Sequence, residues 1–379
     1  MVGLSKTSAR IALDARMLRS NTMHGIARYV YELARGLREI QTGHEFFLIV
    51  NENSPLHNMT WPSNFTLVNT NTRWISIKEQ WELPGLLKKY KIDLFHSPSF
   101  VAPLICPSKL MMTIHDLNHM VLPQNYTLLH KIYYNSVVRY AAQRSSCILT
   151  VSEFSKEEIV KYLQIPKEKV FVTYNGIGKN FTHLTDPELL KKVRETYQLP
   201  PRFLLCFSNG KAHKNIGTFL NAYLKSEIEI PVLVIGILED TVLGDLENSE
   251  RGKKIKTLSY IEEEHLPSLY SLCHAFVFPS LYEGFGLPPL EALACGAPVI
   301  ASASSSLPEI LGEHVYFLDP KLDEQGLKKR LEAIMLTLDS QGNPFFKEGT
   351  AHAQRFSWER MVEKTVNLYN HCLFSHHKS

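Results

Sequence analysis

The chain of 379 residues is too long for one ordinary hydrophobic core, so two domains are expected. Hydrophobic residues make up 44% and charged residues 21% of the sequence, which excludes a disordered polypeptide and indicates a globular one. The formal charge of +3 fits an anionic ligand or an anionic membrane surface, but it is too small to indicate a nucleic-acid-binding protein.

The cysteines and the N-terminus favour a cytoplasmic protein. MVGLSKTSAR lacks the apolar core of a signal peptide, and no apolar run approaches the ~20 residues of a membrane-spanning helix. The six cysteines form no Cys-x-x-Cys pair, and most lie in apolar runs. Buried thiols in a reducing cytosol are therefore expected rather than disulfides. The cysteines are Cys106, Cys147, Cys206, Cys273, Cys295 and Cys372.

Strand-like runs alternate with helical patterns along the first half of the chain. RIALDA (10–15) predicts a strand, and residues 25–40 predict a helix because apolar side chains recur on one face. Short apolar strands that alternate with helices are typical of a parallel sheet covered on both faces. The further strand-like runs are FFLIV (46–50), IDLFHSP (92–98), LMMTIHD (110–116), SCILTVS (146–152) and KVFVTYNG (169–176).

The same pattern restarts after a polar helical segment at 186–198 and the pair Pro200-Pro201. A second α/β domain is therefore predicted, with the boundary between about 179 and 201. We expect domains at 1–185 and 186–355 and a final helix at 356–379, with ligands bound in a cleft between the two domains. The second series of strand-like runs is FLLCFS (203–208), PVLVIGI (231–237), KTLSYI (256–261), AFVFPS (275–280) and PVIAS (298–302).

The segment PSLYEGFGLPPLEALACGAPVI, residues 279–300, is the most informative one. Its glycine-rich turn meets a helix N-terminus at the carboxyl end of a strand, where free N–H groups and the helix dipole bind anions. Glu283 and Glu291 are expected to face the same cleft and to bind vicinal hydroxyls of a sugar or ribose. The alternative is that Glu291 only complements the helix dipole and Glu283 is solvated.

Two lysines follow the strand FLLCF in the segment SNGKAHKNIGTF, residues 208–219. Lys211 and Lys214 lie at a strand-to-helix turn, where their charges could neutralise a diphosphate. Ordinary surface lysines are the alternative.

The N-terminal half offers weaker signals. Gly25, in Met23-His24-Gly25-Ile26, would let backbone approach a phosphate or sugar closely, but the loop lacks a full Gly-x-Gly-x-x-Gly. His115 ends the strand LMMTI, where a single histidine is more often structural than catalytic.

Together these segments resemble family 4 of the retaining glycosyltransferases, which have the GT-B fold. EGFGLPPLE matches the family's Glu-x7-Glu motif, HKN (213–215) its donor-phosphate lysine motif, and TIHDL (113–117) the segment whose histidine approaches the donor sugar. HGIARYVYEL, TVSEFSKEEI and TYNGI match other segments, so the resemblance covers nearly the whole chain. One departure is that Lys211 stands in a turn, 208–211, where many members have an arginine.

The resemblance implies two Rossmann-like domains that face a central cleft, the first on the acceptor side and the second binding the donor. It also implies a final helix, FSWERMVEKTVNLYNHCL, that crosses back to the first domain. Within the donor site, Glu291 would bind ribose, Glu283 the sugar hydroxyls, and His115 the sugar from the first domain. Lys214 and Lys211 would hold the diphosphate. The remaining expected donor-binding residues are Gly25, Ser208, Tyr260, Gly284, Phe285, Gly286 and Leu287.

The expected reaction is transfer of a hexose from a GDP- or UDP-linked sugar to a glycan or lipid-linked glycan, with retention and without a cofactor. No Asp-x-Asp is present to hold a metal. The TIHDL and HKN segments are most similar in kind to mannosyltransferase-like members that build bacterial surface polysaccharide. Basic residues at 139, 144, 156 and 161 suggest peripheral contact with the inner membrane surface, with an ordinary solvated face as the alternative.

Three other functions remain open at this point. A nicotinamide-dependent oxidoreductase also uses doubly wound domains, but neither first strand is followed by Gly-x-Gly-x-x-Gly. A sugar-nucleotide epimerase or isomerase could share the architecture. A non-catalytic sugar-nucleotide-binding protein is the third alternative, and the presence of both glutamates, Lys214 and His115 counts against it.

Overall fold

The computed structural model describes residues 8–19, 25–122, 133–239, 242, 244 and 249–374. The chain divides into two compact units. Unit 1 comprises Met1–Gly176 and Ser357–Ser379, and unit 2 comprises Ile177–Phe356.

The division falls earlier in the chain than the predicted boundary at 185. Residues 177–185 belong to unit 2 because they bond to its helices: the Leu184 N–H donates to the Ser271 hydroxyl over 3.0 Å, and His183 Nδ1 lies 3.0 Å from the Cys295 carbonyl oxygen. These partners lie far along the chain, so the local sequence could not reveal them.

In the described part of unit 1, seven parallel strands form one sheet in the order β3-β2-β1-β4-β5-β6-β7. Strand β1 is central, since Ile11 pairs with Phe46 on one side and with Leu94 on the other. The strands are β1 (Arg10–Asp14), β2 (Glu45–Val50), β3 (Phe65–Asn69), β4 (Leu94–Ser97), β5 (Lys109–Thr113), β6 (Cys147–Thr150) and β7 (Val170–Val172). The helices that precede β7 in this unit are α1 (Ile26–Glu39), α2 (Glu79–Lys89), α3 (Asn118–Val121), α4 (Arg139–Arg144) and α5 (Glu153–Leu163).

In the described part of unit 2, six parallel strands form a second sheet in the order β10-β9-β8-β11-β12-β13. Here β8 is central, since Leu204 pairs with Val232 and with Ala275. The strands are β8 (Leu204–Asn209), β9 (Val232–Ile237), β10 (Ile255–Leu258), β11 (Ala275–Phe278), β12 (Val299–Ser302) and β13 (Tyr316–Leu318). The α-helices in the described part of this unit are α6 (Pro187–Thr196), α7 (Ile216–Leu224), α8 (Leu266–Leu272), α9 (Leu287–Ala294), α10 (Leu307–Leu311), α11 (Glu324–Gln341) and α12 (Phe346–Ala353).

The prediction of two doubly wound parallel sheets is confirmed. Every strand predicted from an apolar run is present, and β3 and β13 are additions. Several helices begin where the sequence supplies a cap. The Ser152 hydroxyl accepts from the Ser155 N–H over 3.1 Å, and Asp186 and Asp323 accept in the same way at the starts of α6 and α11.

The last helix, α13 (Trp358–Phe374), returns to unit 1, as predicted. It packs on α1, β4 and β5. The approach to α1 is close, because a Cβ added at Gly36 would lie 2.4 Å from a methyl of Val362. The helix also contributes a buried polar contact, in which the Tyr369 hydroxyl lies 2.7 Å from His96 Nδ1.

The expectation that every cysteine is a thiol is wrong for two of them. The structure joins Cys147, at the start of β6, to Cys372, in α13, by a disulfide. The return of α13 brings these side chains together across 225 residues of sequence, and no local spacing signals such a pair. Cys106, Cys206, Cys273 and Cys295 are free.

Within the described ranges, no helix combines the length and the apolar character needed to cross a membrane.

Candidate active site

The strand order of unit 2 reverses between β8 and β11, and ligands of open α/β sheets bind at such a point, outside the carboxyl ends of the strands. Lys214 follows β8 in a short 3-10 turn, Ala212–Lys214, and Glu283 follows β11. The two loops are tied together, because the Leu281 N–H donates to the His213 carbonyl over 2.8 Å. The fold therefore brings both predicted residues to the place where a ligand is expected.

Lys214 and Glu283 form an ion pair, with Lys214 Nζ 2.6 Å from Glu283 Oε1. Their side chains are only 19% and 15% exposed, so the pair is partly withdrawn from water and its charges are weakly screened. Lys214 Nζ also lies 5.3 Å from the centre of the Phe278 ring. Neither side chain is therefore a fully solvated surface group.

His213 lies beside this pair and was not predicted from the sequence. Burial and the neighbouring charge of Lys214 lower the pKa of His213, against an opposing contribution from Glu283. The His213 imidazole is therefore neutral near pH 7. The positive charge that contacts Glu283 comes from Lys214.

Two serines hold the loop that carries Glu283. The Glu283 N–H donates to the Ser305 hydroxyl over 2.9 Å. The Ser306 hydroxyl lies 3.0 Å from the Glu283 carbonyl oxygen and 3.1 Å from that of Phe285. Ser305 adopts a φ of 50°, which a non-glycine residue seldom does. Sequence reasoning missed both serines because their run, ASASSS, carries no motif.

Gly286 makes the turn into α9 possible. Its φ is 95°, and an added Cβ would lie 2.6 Å from a methyl of Leu307, so a larger residue would displace the loop. Pro288 and Pro289 have no N–H, so the amides that α9 can offer to an anion are concentrated at 284–287. Within that range, Gly284, Phe285 and Gly286 are buried and Leu287 is half-buried.

Glu291 lies in the second turn of α9 and is only 6% exposed. The Tyr270 hydroxyl, from α8, donates to Glu291 Oε2 over 3.3 Å. Burial and the Glu291 carboxylate raise the pKa of Tyr270, so the phenol stays protonated and donates. Tyr270 was missed because it lies 21 residues before Glu291 and no motif links the two.

The ends of β8, β9 and β10 form the neighbouring part of the site. The Ser208 hydroxyl donates to the Ile237 carbonyl at the end of β9, and the Gly210 N–H donates to the Ser208 hydroxyl over 3.3 Å. Tyr260, just after β10, is 58% exposed, and Ile237 is 67% exposed. The sequence pointed to Tyr260 but not to Ile237. Lys211 is exposed, and its N–H bonds to the Asn209 side chain.

In unit 1, Tyr29 contacts both His115 and Gly25. His115 Nε2 lies 3.1 Å from the Pro98 carbonyl oxygen, so this nitrogen carries the proton and donates. The Tyr29 ring packs edge-on against the His115 ring at 4.8 Å, and the Tyr29 N–H donates to the Gly25 carbonyl. Burial lowers the pKa of His115, and the Pro98 contact and Asp116 oppose this. The imidazole is therefore neutral near pH 7.

Gly25 precedes α1 with a φ of 61°, which favours glycine, and among the described residues no atom beyond its chain neighbours lies within 4 Å of an added Cβ. Met23 and His24 lie outside the described residues. Among the residues that are described, no group of three or more His, Cys, Asp or Glu side chains is placed to hold a metal ion.

Family models match both halves of the chain. The family model described as "Glycosyltransferase Family 4" matches residues 23–180, and the one described as "Glycosyl transferases group 1" matches residues 191–341. O-antigen chain mannosyltransferase B of Escherichia coli is 32% identical over 291 residues, which are 75% of each chain. The serotype-specific mannosyltransferase WbdA of Escherichia coli is 28% identical over 309 residues, and the match spans 37% of its length.

Solved structures share the fold over nearly their whole length. A glycosyltransferase from Rickettsia africae ESF-5 has a TM-score of 0.75 at 20% identity, with 97% of this chain and 99% of that one covered. WaaG, a glycosyltransferase involved in lipopolysaccharide biosynthesis, has a TM-score of 0.69 at 14% identity, with 94% and 99% covered. The two parallel sheets and these neighbours show the GT-B fold. The chain belongs to glycosyltransferase family 4.

Proposed function

We propose that this glycosyltransferase transfers mannose, with retention of configuration, from a nucleoside-diphosphate sugar to a glycan or lipid-linked glycan during synthesis of a surface polysaccharide. The observation that carries the proposal is the partly buried Lys214–Glu283 pair at the reversal point of the second sheet. The names of the relatives, O-antigen chain mannosyltransferase B and WbdA, support mannose and a polysaccharide product.

Lys214 and the amides at 284–287 would bind the donor's diphosphate. A cation and fixed N–H dipoles stabilise the charge that develops on the leaving group as the sugar–phosphate bond breaks. Lys214 already contacts Glu283. A bound diphosphate would therefore contact the same ammonium group as the Glu283 carboxylate does. The Glu283 carboxylate would then lie next to the transferred sugar. Glu283 would accept hydrogen bonds from the hydroxyls of that sugar.

The nucleoside would lie around the ends of β8, β9 and β10. Glu291, held by Tyr270, would accept hydrogen bonds from the ribose hydroxyls. The exposed Tyr260 and the Ser208 turn would contact the nucleoside, and Lys211 would add a second positive charge. The family resemblance supports a role for His115 and Gly25 of unit 1 in contacting the sugar and its phosphate.

In the proposed step, the acceptor oxygen bonds to the anomeric carbon on the face from which the diphosphate departs. The bond from that carbon to the diphosphate oxygen breaks, and the proton of the acceptor hydroxyl moves to a leaving phosphate oxygen. No cofactor takes part. Lysine and amide groups supply the positive charge in place of a divalent metal, an inference that rests on the absence of Asp-x-Asp from the sequence.

The test begins with a thermal-shift panel of nucleoside diphosphates and their sugars, because a ligand that binds the folded state raises the melting temperature. The donor identified in this way is then incubated with lipid-linked glycan acceptors in the presence of a chelator. We expect transfer of mannose and a product whose anomeric configuration, read by NMR, matches that of the donor. An inverted product would contradict retention, and activity that returns only with magnesium or manganese would contradict metal independence.

A further inference from the structure

A group of large apolar side chains is exposed on unit 1, outside the residues assigned to the reaction. We call it the Trp81 surface. It consists of Ile75 (50% exposed), Ile77 (79%), Trp81 (62%), Leu104 (37%) and Ile105 (78%). Apolar side chains that are exposed singly are common, but a cluster of five that includes a tryptophan marks an interaction surface.

The three segments of the Trp81 surface lie side by side. Ile75 and Ile77 end the loop that enters α2, and Trp81 lies in the first turn of that helix. Leu104 and Ile105 come from the loop before β5, and the Leu104 N–H donates to the Gln80 side-chain oxygen over 2.8 Å. A second contact joins the same loops, because the Trp74 and Phe100 rings lie 6.1 Å apart.

The exposed charges of residues 71–91 have one sign. Every charged side chain that is exposed in this range is basic: Arg73, Lys78, Lys88, Lys89 and Lys91. The two carboxylates of this stretch are engaged within the unit, Glu79 with Arg16 and Glu82 with the hydroxyls of Thr70 and Thr72.

Lys88 shares the outward face of α2 with Trp81. Residues seven apart on a helix lie on one face, so the two side chains are separated along the axis by about 10 Å. The apolar cluster therefore has a basic border on the helix that carries its tryptophan.

We propose that the Trp81 surface docks on the surface of an anionic lipid bilayer. Tryptophan favours the boundary between headgroups and acyl chains, isoleucine and leucine insert just below it, and lysine and arginine bind anionic headgroups. A second copy of this chain does not fit, because a symmetric contact would place two basic borders against each other. The inference rests on the lipid-linked acceptor of the proposed function and names the surface that would contact the lipid.

This location differs from the one expected from the sequence. The basic residues at 139, 144, 156 and 161 lie on or next to α4 and α5, where exposed Glu153 and Glu157 interrupt them. Glu157 pairs with Lys167, and the Arg139 side chain donates to the Tyr162 carbonyl within the unit. That region is mixed in charge, whereas the border of the Trp81 surface is basic.

The experiment is co-sedimentation of the full chain with vesicles made of an equal mixture of phosphatidylglycerol and phosphatidylcholine, and with vesicles of phosphatidylcholine alone. We expect binding to the anionic vesicles that weakens as salt is raised. The double variant Ile77→Ser, Trp81→Ser should weaken that binding at least about tenfold, because two apolar side chains no longer insert. Leu336→Ser, on α11 of unit 2, changes a side chain that is 71% exposed and is the matched control.

Equal binding by the double variant and the control would overturn the proposal, as would a wild-type chain that fails to bind anionic vesicles at low salt. If the variant Arg144→Glu, Lys161→Glu loses binding and the variant Ile77→Ser, Trp81→Ser does not, the membrane contact lies on α4 and α5 and the proposal is wrong. Nucleoside diphosphates should raise the melting temperature of every variant equally. That measurement checks folding and also reports separately on the donor site, so a failure of docking and a failure of the proposed reaction can be told apart.

Discussion

The strand order reverses between β1 and β4 in unit 1 and between β8 and β11 in unit 2, and polar side chains follow the strands at both points. In unit 1 these side chains are buried: Arg16 contacts both Asp14, at 2.7 Å, and Glu79, at 3.1 Å, and none of the three is more than 2% exposed. In unit 2 the Lys214–Glu283 pair keeps 19% and 15% of its side-chain surface in contact with solvent.

The difference separates a structural network from a binding site. Burial alone would lower the pKa of Arg16, but the carboxylates of Asp14 and Glu79 outweigh it and raise that pKa above its ordinary value. The Arg16 guanidinium is therefore paired with carboxylates inside unit 1. Lys214 and Glu283 contact each other through one oxygen and remain reachable, so a ligand can add to their contacts.

The largest effect is expected at Arg16. Arg16→Met should lower the free energy of unfolding by about 3–5 kcal/mol, because it leaves two buried carboxylates without their cation. Urea denaturation measures the loss. Arg10→Met is the control, since Arg10 is 41% exposed and its pair with Glu45 should contribute no more than about 1 kcal/mol. A small loss at Arg16 would mean that this buried network does not stabilise unit 1.

The second effect concerns turnover. Lys214→Ala should reduce the rate of transfer at least about 10²-fold, as expected for loss of a group that stabilises the leaving diphosphate. Stability should change little, because the side chain is partly exposed and bonds to a single partner. Lys211→Ala, three residues earlier in the same turn, should cause a smaller loss. A Lys214 variant with nearly normal turnover would refute its assignment.

Substitution of Glu283 and of Glu291 should change different kinetic parameters. Glu283→Gln should lower kcat and leave the affinity for free nucleoside diphosphate almost unchanged, since this carboxylate is proposed to contact the transferred sugar. Glu291→Gln should mainly raise KM and weaken free nucleoside diphosphate, because ribose does not change during the reaction. If both variants lose the free nucleotide equally, the proposed division between sugar and ribose is wrong.

The last effect, and the smallest within one pH unit of neutrality, is the pH dependence of stability from His96. Burial, with a contribution from His115, lowers the pKa of His96 to about 3. The unfolded histidine takes up a proton below about pH 6.5 while the folded one does not, so stability falls as the pH drops from there towards 3. The slope is at most about 1.4 kcal/mol per pH unit for each such group. His96→Gln should flatten the slope of unfolding free energy against pH relative to wild type, as measured by urea denaturation at a series of pH values.

Much of the fold could be predicted because its signals are local. Apolar runs marked most strands, and Gly286, the prolines at 288–289 and Gly296 marked the turn and the ends of α9. The strand β3 escaped prediction because it is only partly buried along its length, and β13 was missed although its sequence, YFL, is apolar.

The site was predictable where a motif carries it and not where distant chain segments meet. Lys214, Glu283 and Glu291 stand in recognisable segments, but their contact and burial depend on the strand order, which no local pattern shows. Ser305 and Ser306, which hold the Glu283 loop, and Tyr270, which bonds to Glu291, act across 21 to 23 residues. The disulfide of Cys147 with Cys372 depends on the return of α13.

The central claim is that the Lys214–Glu283 pair marks a diphosphate-binding site. Calorimetric titration of the wild-type chain and of Lys214→Ala with the free nucleoside diphosphate that gives the largest thermal shift tests it most directly. We predict that Lys214→Ala binds this ligand at least about tenfold more weakly, a loss of ~1.4 kcal/mol, while Arg10→Met binds it as wild type does. Equal affinity of the wild-type chain and Lys214→Ala would contradict the claim.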